Sequence, residues 1–240
     1  DRAAEFLNRR GYLTISSDYR TWGDSDTAES LYYSGLAIDV INLLNAIPSF
    51  PEADANRIGM WGHSMGGGVT LKVLTIDPFV EPGESPRIKA AVLYSSVSAD
   101  FADIIERWGP GCLGDVFAGE LEFGCNSSDV LPDDLAPDLI AAYFDSVDDP
   151  DLLKAVSPIS YLDSVMAPVH IVYGTEDGQT SAGTPPLWSK EMYAAFDVAG
   201  KDVRLFAHDG EGHSFTVNQW FAFMERSSQF FDAYVKEAGR

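Results

Sequence analysis

The sequence predicts an α/β fold: a mainly parallel, twisted sheet with helices on both faces, interrupted by an inserted helical cap. Three observations predict it. Short β-rich apolar runs alternate with longer stretches of helical periodicity, the signature of strand–helix units. A glycine-rich turn, Gly62-His63-Ser64-Met65-Gly66, falls between one such run and the helical pattern after it. Residues 99–163 break the alternation, and structureless loops of that length are uncommon inside compact domains. The expected organisation is a core of 1–98 and 164–240 with a cap at 99–163.

Each element has its own signal. Residues 1–9 carry Ala3, Ala4, Phe6 and Leu7 and read as the tail of a helix. Tyr12-Leu13-Thr14-Ile15-Ser16 follows Gly11 and reads as a strand. From Ser30 to Ile47, Leu31, Leu36, Val40, Leu43, Leu44 and Ile47 recur near helical spacing, and Pro48 ends the helix. Arg57–Trp61 is a second strand, with a helix through Val69–Leu74 behind it. Ile88–Tyr94, Val169–Tyr173 and Val203–Phe206 are three more strands. Helices are expected at Leu187–Ala199 and Gln219–Lys236, and within the cap around Leu139–Phe144.

Composition narrows the function. Thirty-seven acidic residues face 16 basic ones in 240, a net charge of −21. Such a polyanion repels phosphate backbones and anionic headgroups, which argues against nucleic-acid and membrane-surface partners. No apolar run approaches the ~20 residues that span a bilayer, so membrane insertion is not expected. The chain opens on Asp1 without Met or a signal-like segment, as a mature form or a fragment would.

Cys112 and Cys125 do not form a CxxC pair, and no His sits at metal spacing from them, so no zinc or other metal site is expected. They are either one disulfide or two buried thiols. Their separation in a Gly-rich, polar stretch favours a loop-closing disulfide, and with it an oxidising, extracellular or periplasmic location.

The chemistry lies in the turn at 62–66. A G-x-S-x-G turn between strand and helix lifts its serine hydroxyl to the top of a sheet. The helix N-terminus behind Ser64 offers N–H donors to a developing anion, and the Met65 N–H is the natural first oxyanion donor. A serine nucleophile needs a base, and only four histidines exist: His63, His170, His208 and His213. His63 is inside the turn, and His170 lies mid-strand. His213, in Gly210-Glu211-Gly212-His213-Ser214-Phe215 between the last strand and last helix, is the favoured base over His208. The acid should follow the preceding strand. Tyr173-Gly174-Thr175-Glu176-Asp177-Gly178 supplies Asp177, with Glu176 as neighbouring alternative. Ser, Asp and His then follow in the chain order known for this constellation. Trp22, Trp108 and Trp188 are candidates to line the substrate pocket, beside the blander reading of core or cap packing.

These pieces together resemble an α/β-hydrolase, near its prolyl-oligopeptidase-like and dienelactone-hydrolase-like branch. The resemblance runs through Arg10-Gly11-Tyr12, Asp18-Tyr19-Arg20, Gly23-Asp24-Ser25, the turn at 62–66, Ser157-Pro158, Gly174-Thr175-Glu176-Asp177 and the His213 loop. The run Gly66-Gly67-Gly68 is also similar to cutinase-like polyester hydrolases. The resemblance implies acyl transfer through a serine ester, with Ser64, Asp177 and His213 as the triad and no metal or organic cofactor. The expected activity is that of a serine carboxylesterase acting on a small-molecule ester. A prolyl-oligopeptidase-type peptidase, a polyester hydrolase and an inactive binding module on the same fold are the rivals.

Two departures from the family are visible. Thr21 stands where the family often has Gly. The family also places a strand between those expected at 12–16 and 57–61, and the loop after it carries a second oxyanion donor. Nothing before Arg10 can be both. The expectation is several tens of upstream residues in the natural protein.

Overall fold

The computed structural model describes residues 2–80, 86–114, 125–132 and 134–237. Four strands form one parallel sheet: β1 (Ile58–His63), β2 (Ile88–Tyr94), β5 (Val169–Gly174) and β6 (Val203–His208), in the order β1-β2-β5-β6. The helices are α1 (Arg2–Asn8), α2 (Ser34–Ala46), α3 (Met65–Val80), α4 (Phe101–Trp108), α5 (Pro137–Ser146), α6 (Pro150–Val156), α7 (Pro186–Val198) and α8 (Val217–Phe231). A short parallel pair, β3 (Gly111–Leu113) and β4 (Asn126–Leu131), lies within residues 99–163.

Strand alternation builds two cores. On β2, Ala91 and Leu93 point toward Leu36 and Ala37 of α2, Leu71 of α3 and Phe196 of α7. Ala90, Val92 and Tyr94 point the other way, toward Phe6 and Leu7 of α1 and Phe223, Met224 and Phe231 of α8. β2 and β5 are almost entirely buried because apolar layers cover them on both faces, as parallel sheets require.

Two expectations are corrected. Tyr12–Ser16 is extended but belongs to no strand. A groove of about 420 Å3, lined by Leu13, Ile15, Val40, Leu44, Met60 and Trp61 among others, separates it from β1. Without a strand partner its apolar residues lie open, Leu13 at 57% and Ile15 at 42% exposure. β1 is therefore one of the two edges of the sheet among the described residues, β6 being the other. The groove occupies the position where the family resemblance puts a strand.

The stretch 99–163, expected to be a helical cap, is also not purely helical. Gly111–Leu113 is too short, and Asn126-Ser127-Ser128-Asp129 too polar, to read as strands from periodicity. Asp129 of β4 ties this segment to the core. Its carboxylate accepts from the Ser30 hydroxyl and the Tyr32 N–H, both at 2.7 Å. Leu31, Tyr32 and Tyr33 all carry positive φ, which is costly for side chains with a Cβ, and Asp129 holds that turn in place. Burial pushes the Asp129 pKa up, while Ser30, the Tyr32 and Tyr33 N–H groups and Lys72 pull the other way. Cys112, the middle residue of β3, is bonded to Cys125, the residue just before β4, with Cα atoms 5.0 Å apart.

Thr21, the departure from family pattern, sits at φ 68, where glycine is favoured. Its hydroxyl holds it there by donating to Ala28 O at 2.6 Å and accepting the Ala28 N–H at 3.0 Å.

Candidate active site

The sheet presents three loops at one end. The first follows β1. Ser64 has φ 56, a left-handed conformation that turns the chain sharply from strand into α3. Its N–H donates to Tyr94 O at the end of β2 at 3.0 Å, and its carbonyl accepts from Gly67 N at 3.0 Å and Val97 N at 3.3 Å. The turn is so tight that a Cβ on Gly62 would lie 2.1 Å from Gly66 O. Met65 opens α3, so its N–H is among the first-turn donors that have no intrahelical acceptor.

The second loop follows β6. His213 Nε2 lies 2.9 Å from Ser64 Oγ. The loop is fastened at several points. The buried Glu211 carboxylate accepts the Thr216 N–H at 2.5 Å and the Thr216 hydroxyl at 2.7 Å. Phe215 N donates to the Tyr94 hydroxyl at 2.7 Å, and His63 Nε2 donates to His213 O at 2.9 Å. The His63 ring stacks on Tyr94 at 4.4 Å. Burial lowers the His63 pKa, which keeps the ring neutral beside His213.

The third loop follows β5. Asp177 Oδ2 and Oδ1 lie 3.0 and 3.1 Å from His213 Nδ1, and the carboxylate is fully buried. Three further donors reach it: Gly178 N at 2.7 Å, Thr184 N at 2.9 Å and the Thr184 hydroxyl at 2.8 Å. Burial alone would raise the Asp177 pKa, but the hydrogen bonds from His213, Thr184 and Gly178 outweigh it and hold it below the ordinary value. Glu176, the neighbouring alternative, is exposed. His208 points elsewhere, with Nδ1 on Gln219 Oε1 at 3.1 Å.

The sequence reading missed what holds the acid loop. Arg107 of α4 donates to Gly183 O at 3.0 Å, Gly178 O at 3.1 Å and Thr180 O at 2.8 Å. Trp108 Nε1 donates to Ser181 O at 2.6 Å, and its ring meets Trp188 edge-on at 5.3 Å. These two tryptophans therefore pack the 178–184 loop against α4 and α7. Trp22 sits half-buried in the Tyr19–Ser25 turn, its N–H on Tyr19 O. No local pattern around Thr184 or Arg107 announces these roles.

The chain is similar to several known proteins. Residues 11–105 match the family model of acetyl xylan esterases. The lysophosphatidylserine lipase ABHD12 of Xenopus tropicalis is 37% identical over 68 residues, 28% of this chain and 17% of that protein. Among solved structures, the Pyrococcus furiosus esterase Pf2001 superposes with a TM-score of 0.63 at 19% identity, covering 98% of this chain and 76% of that one. The Pyrococcus horikoshii acylaminoacyl peptidase gives a TM-score of 0.57 at 20% identity, covering 86% and 29%. The chain thus spans under a third of the length of that lipase and of that peptidase. In fold and in local sequence the chain is thus similar to hydrolases of the esterase and peptidase kind. The chain has the fold of these α/β-hydrolases. Among the described residues no helix is long and apolar enough to cross a membrane.

Proposed function

We propose that the chain is a serine carboxylesterase that hydrolyses short- to medium-chain carboxylic esters through an acyl-enzyme. The observation that carries this reading is the continuous relay from Ser64 Oγ through His213 to Asp177, mounted on a turn that holds Ser64 at φ 56. The acetyl xylan esterase match over 11–105 supports an ester with a small acyl group.

The mechanism follows from the contacts. Ser64 Oγ attacks the ester carbonyl while His213 Nε2 takes its proton. Asp177 fixes the imidazole with Nδ1–H toward the carboxylate and stabilises the imidazolium. The Met65 N–H donates to the oxyanion of the tetrahedral intermediate. Collapse of that intermediate expels the alcohol, which leaves with the proton from His213. Water attacks the acyl-enzyme by the same route in reverse, freeing the acid and Ser64. The Cys112–Cys125 bond supports an oxidising, extracellular or periplasmic location.

The test is a hydrolysis panel: p-nitrophenyl esters of rising chain length beside a peptidyl anilide. Turnover of the short esters with little of the anilide supports the esterase. Preference for the anilide would make the chain a peptidase, the reading its acylaminoacyl peptidase-like fold also allows.

A further inference from the structure

The Asp177 side chain is fully buried, and among the described residues no Lys or Arg pairs with it. Its one ion-pair partner is His213, which is charged only when protonated. Burying a carboxylate without a fixed counter-charge costs free energy. Arg107 is likewise without an acid among the described residues. Its guanidinium points instead at main-chain carbonyls of the loop that holds Asp177. Nε donates to Gly183 O at 3.0 Å, and Nη2 donates to Gly178 O at 3.1 Å and Thr180 O at 2.8 Å.

The two groups meet in one amide. The Gly183 carbonyl and the Thr184 N–H belong to the same peptide unit. Arg107 donates to its oxygen at 3.0 Å, and its N–H donates to Asp177 Oδ1 at 2.9 Å. Guanidinium and carboxylate are therefore joined by two hydrogen bonds and one peptide plane. A cation on the oxygen side of an amide polarises it and strengthens its N–H as a donor, since hydrogen bonds in a chain reinforce one another. Gly183 and Thr184 are both buried, so water screens the bridge little. The approach is also close. A Cβ on Gly183 would lie 2.6 Å from Asp177 Oδ1 and 2.7 Å from Gly178 N, so glycine is what lets this peptide lie against the carboxylate.

We propose that Arg107 is the counter-charge of Asp177, acting through the Gly183–Thr184 peptide, and thereby a positioning residue that tunes His213 as a base. The inference rests on the reading of Ser64, His213 and Asp177 as the relay. A cation held there offsets part of the carboxylate's attraction for the imidazolium. His213 then gives up its proton at a lower pH than Asp177 alone would allow. The other groups around the pair do not supply that charge. His63 of β1 and Tyr94 of β2 face it, and burial keeps both neutral. Asp103 and Glu106 of α4 and Glu191 of α7 are acids, and Glu211 on the base's own loop is tied to Thr216.

The experiment is kcat/KM against pH on a short p-nitrophenyl ester for the parent, Arg107→Gln, Arg107→Met and Arg107→Lys. Thermal unfolding checks each fold, and NMR follows the titration of the His213 ring in the same four chains. All three variants lose the grip on three carbonyls and should melt lower by similar amounts. They differ in charge. The two neutral variants should move the acid limb, and the ring titration with it, upward by about half a unit, the order expected for one partly screened charge at this remove. Arg107→Lys should stay near the parent. If one neutral variant does not fold, the other decides. A downward shift in the neutral variants would mean that Asp177 has left His213 and that Arg107 only fastens the loop, which overturns the proposal. No shift, or an equal shift in Arg107→Lys, overturns it too. A parent that turns over no ester would count against the carboxylesterase reading alone, because the ring titration still reads the charge.

Discussion

The Thr184 hydroxyl lies 2.8 Å from Asp177 Oδ2 and 3.0 Å from Ser95 O, so a single O–H joins the acid of the relay to the loop after β2. Its proton can serve one acceptor at a time. When it points to the carboxylate, Asp177 carries donors from Gly178 N, Thr184 N, Thr184 Oγ1 and His213. Thr184 therefore positions the acid without reaching the reacting atoms. Thr184→Val keeps the shape and the backbone donor but removes the hydroxyl. We expect kcat to fall about tenfold with KM little changed, and Thr184→Ser to recover most of it. A change confined to KM would place the residue in substrate binding.

Asp177 and Glu176 are adjacent but stand in opposite environments, one buried against His213 and the other exposed. Asp177→Asn should lower kcat by ~10⁴, as the triad template does on this change. Glu176→Gln should leave kcat near the parent value. Steady-state kinetics of the two variants on one ester decides it, and the reverse ranking would move the acid by one residue.

Acid should destabilise the fold well before Asp177 protonates. Burial lowers the pKa values of His63, His170 and His208, with His170 at about 3 against an ordinary 6.5. Arg226, Arg204 and His208 face His170 and push in the same direction. A histidine whose folded pKa is depressed binds more protons when unfolded. Its stabilising effect is complete above about pH 6.5 and declines as pH falls toward the folded value. The lowered Asp177 pKa adds a further loss only as pH drops below 3.8. Urea midpoints at about pH 7.5 and about pH 5 should therefore differ, with the lower value at pH 5. Equal midpoints would mean that the buried rings are already protonated in the fold.

The bond between Cys112 and Cys125 closes a loop with a sequence separation of 13. Chain entropy makes such a loop worth ~3 kcal/mol. Thiol titration under denaturing, non-reducing conditions should find no free thiol, and the paired Cys→Ser variant should melt several degrees lower. Two free thiols in an oxidised preparation would refute the bond and remove the argument for an oxidising compartment.

Much of this was legible in the residues. The Gly62–Gly66 turn, the His213 loop and the Gly174–Asp177 run each sit next to a strand whose apolar pattern is strong, so their meeting at one end of the sheet followed from strand–helix alternation. The strand expected at Tyr12–Ser16 failed for a physical reason. Its alternation is real, but a strand needs a neighbour within hydrogen-bonding distance, and a groove stands there instead. The β3–β4 pair was hidden because β4 is half polar: Asp129 and Ser128 serve a buried turn rather than an apolar face. Thr184 and Arg107 were invisible because their roles depend on where the 178–184 loop folds back, which no local spacing encodes.

The central claim is that Ser64 is a nucleophile activated by His213. A fluorophosphonate probe forms a stable adduct only with a serine so activated, and peptide mass spectrometry locates it. The prediction is a single adduct on Ser64 in the parent chain, none in Ser64→Ala, and strongly slowed labelling in His213→Ala, with both variants folded by circular dichroism. No adduct in the folded parent, or one that persists in Ser64→Ala, would contradict it.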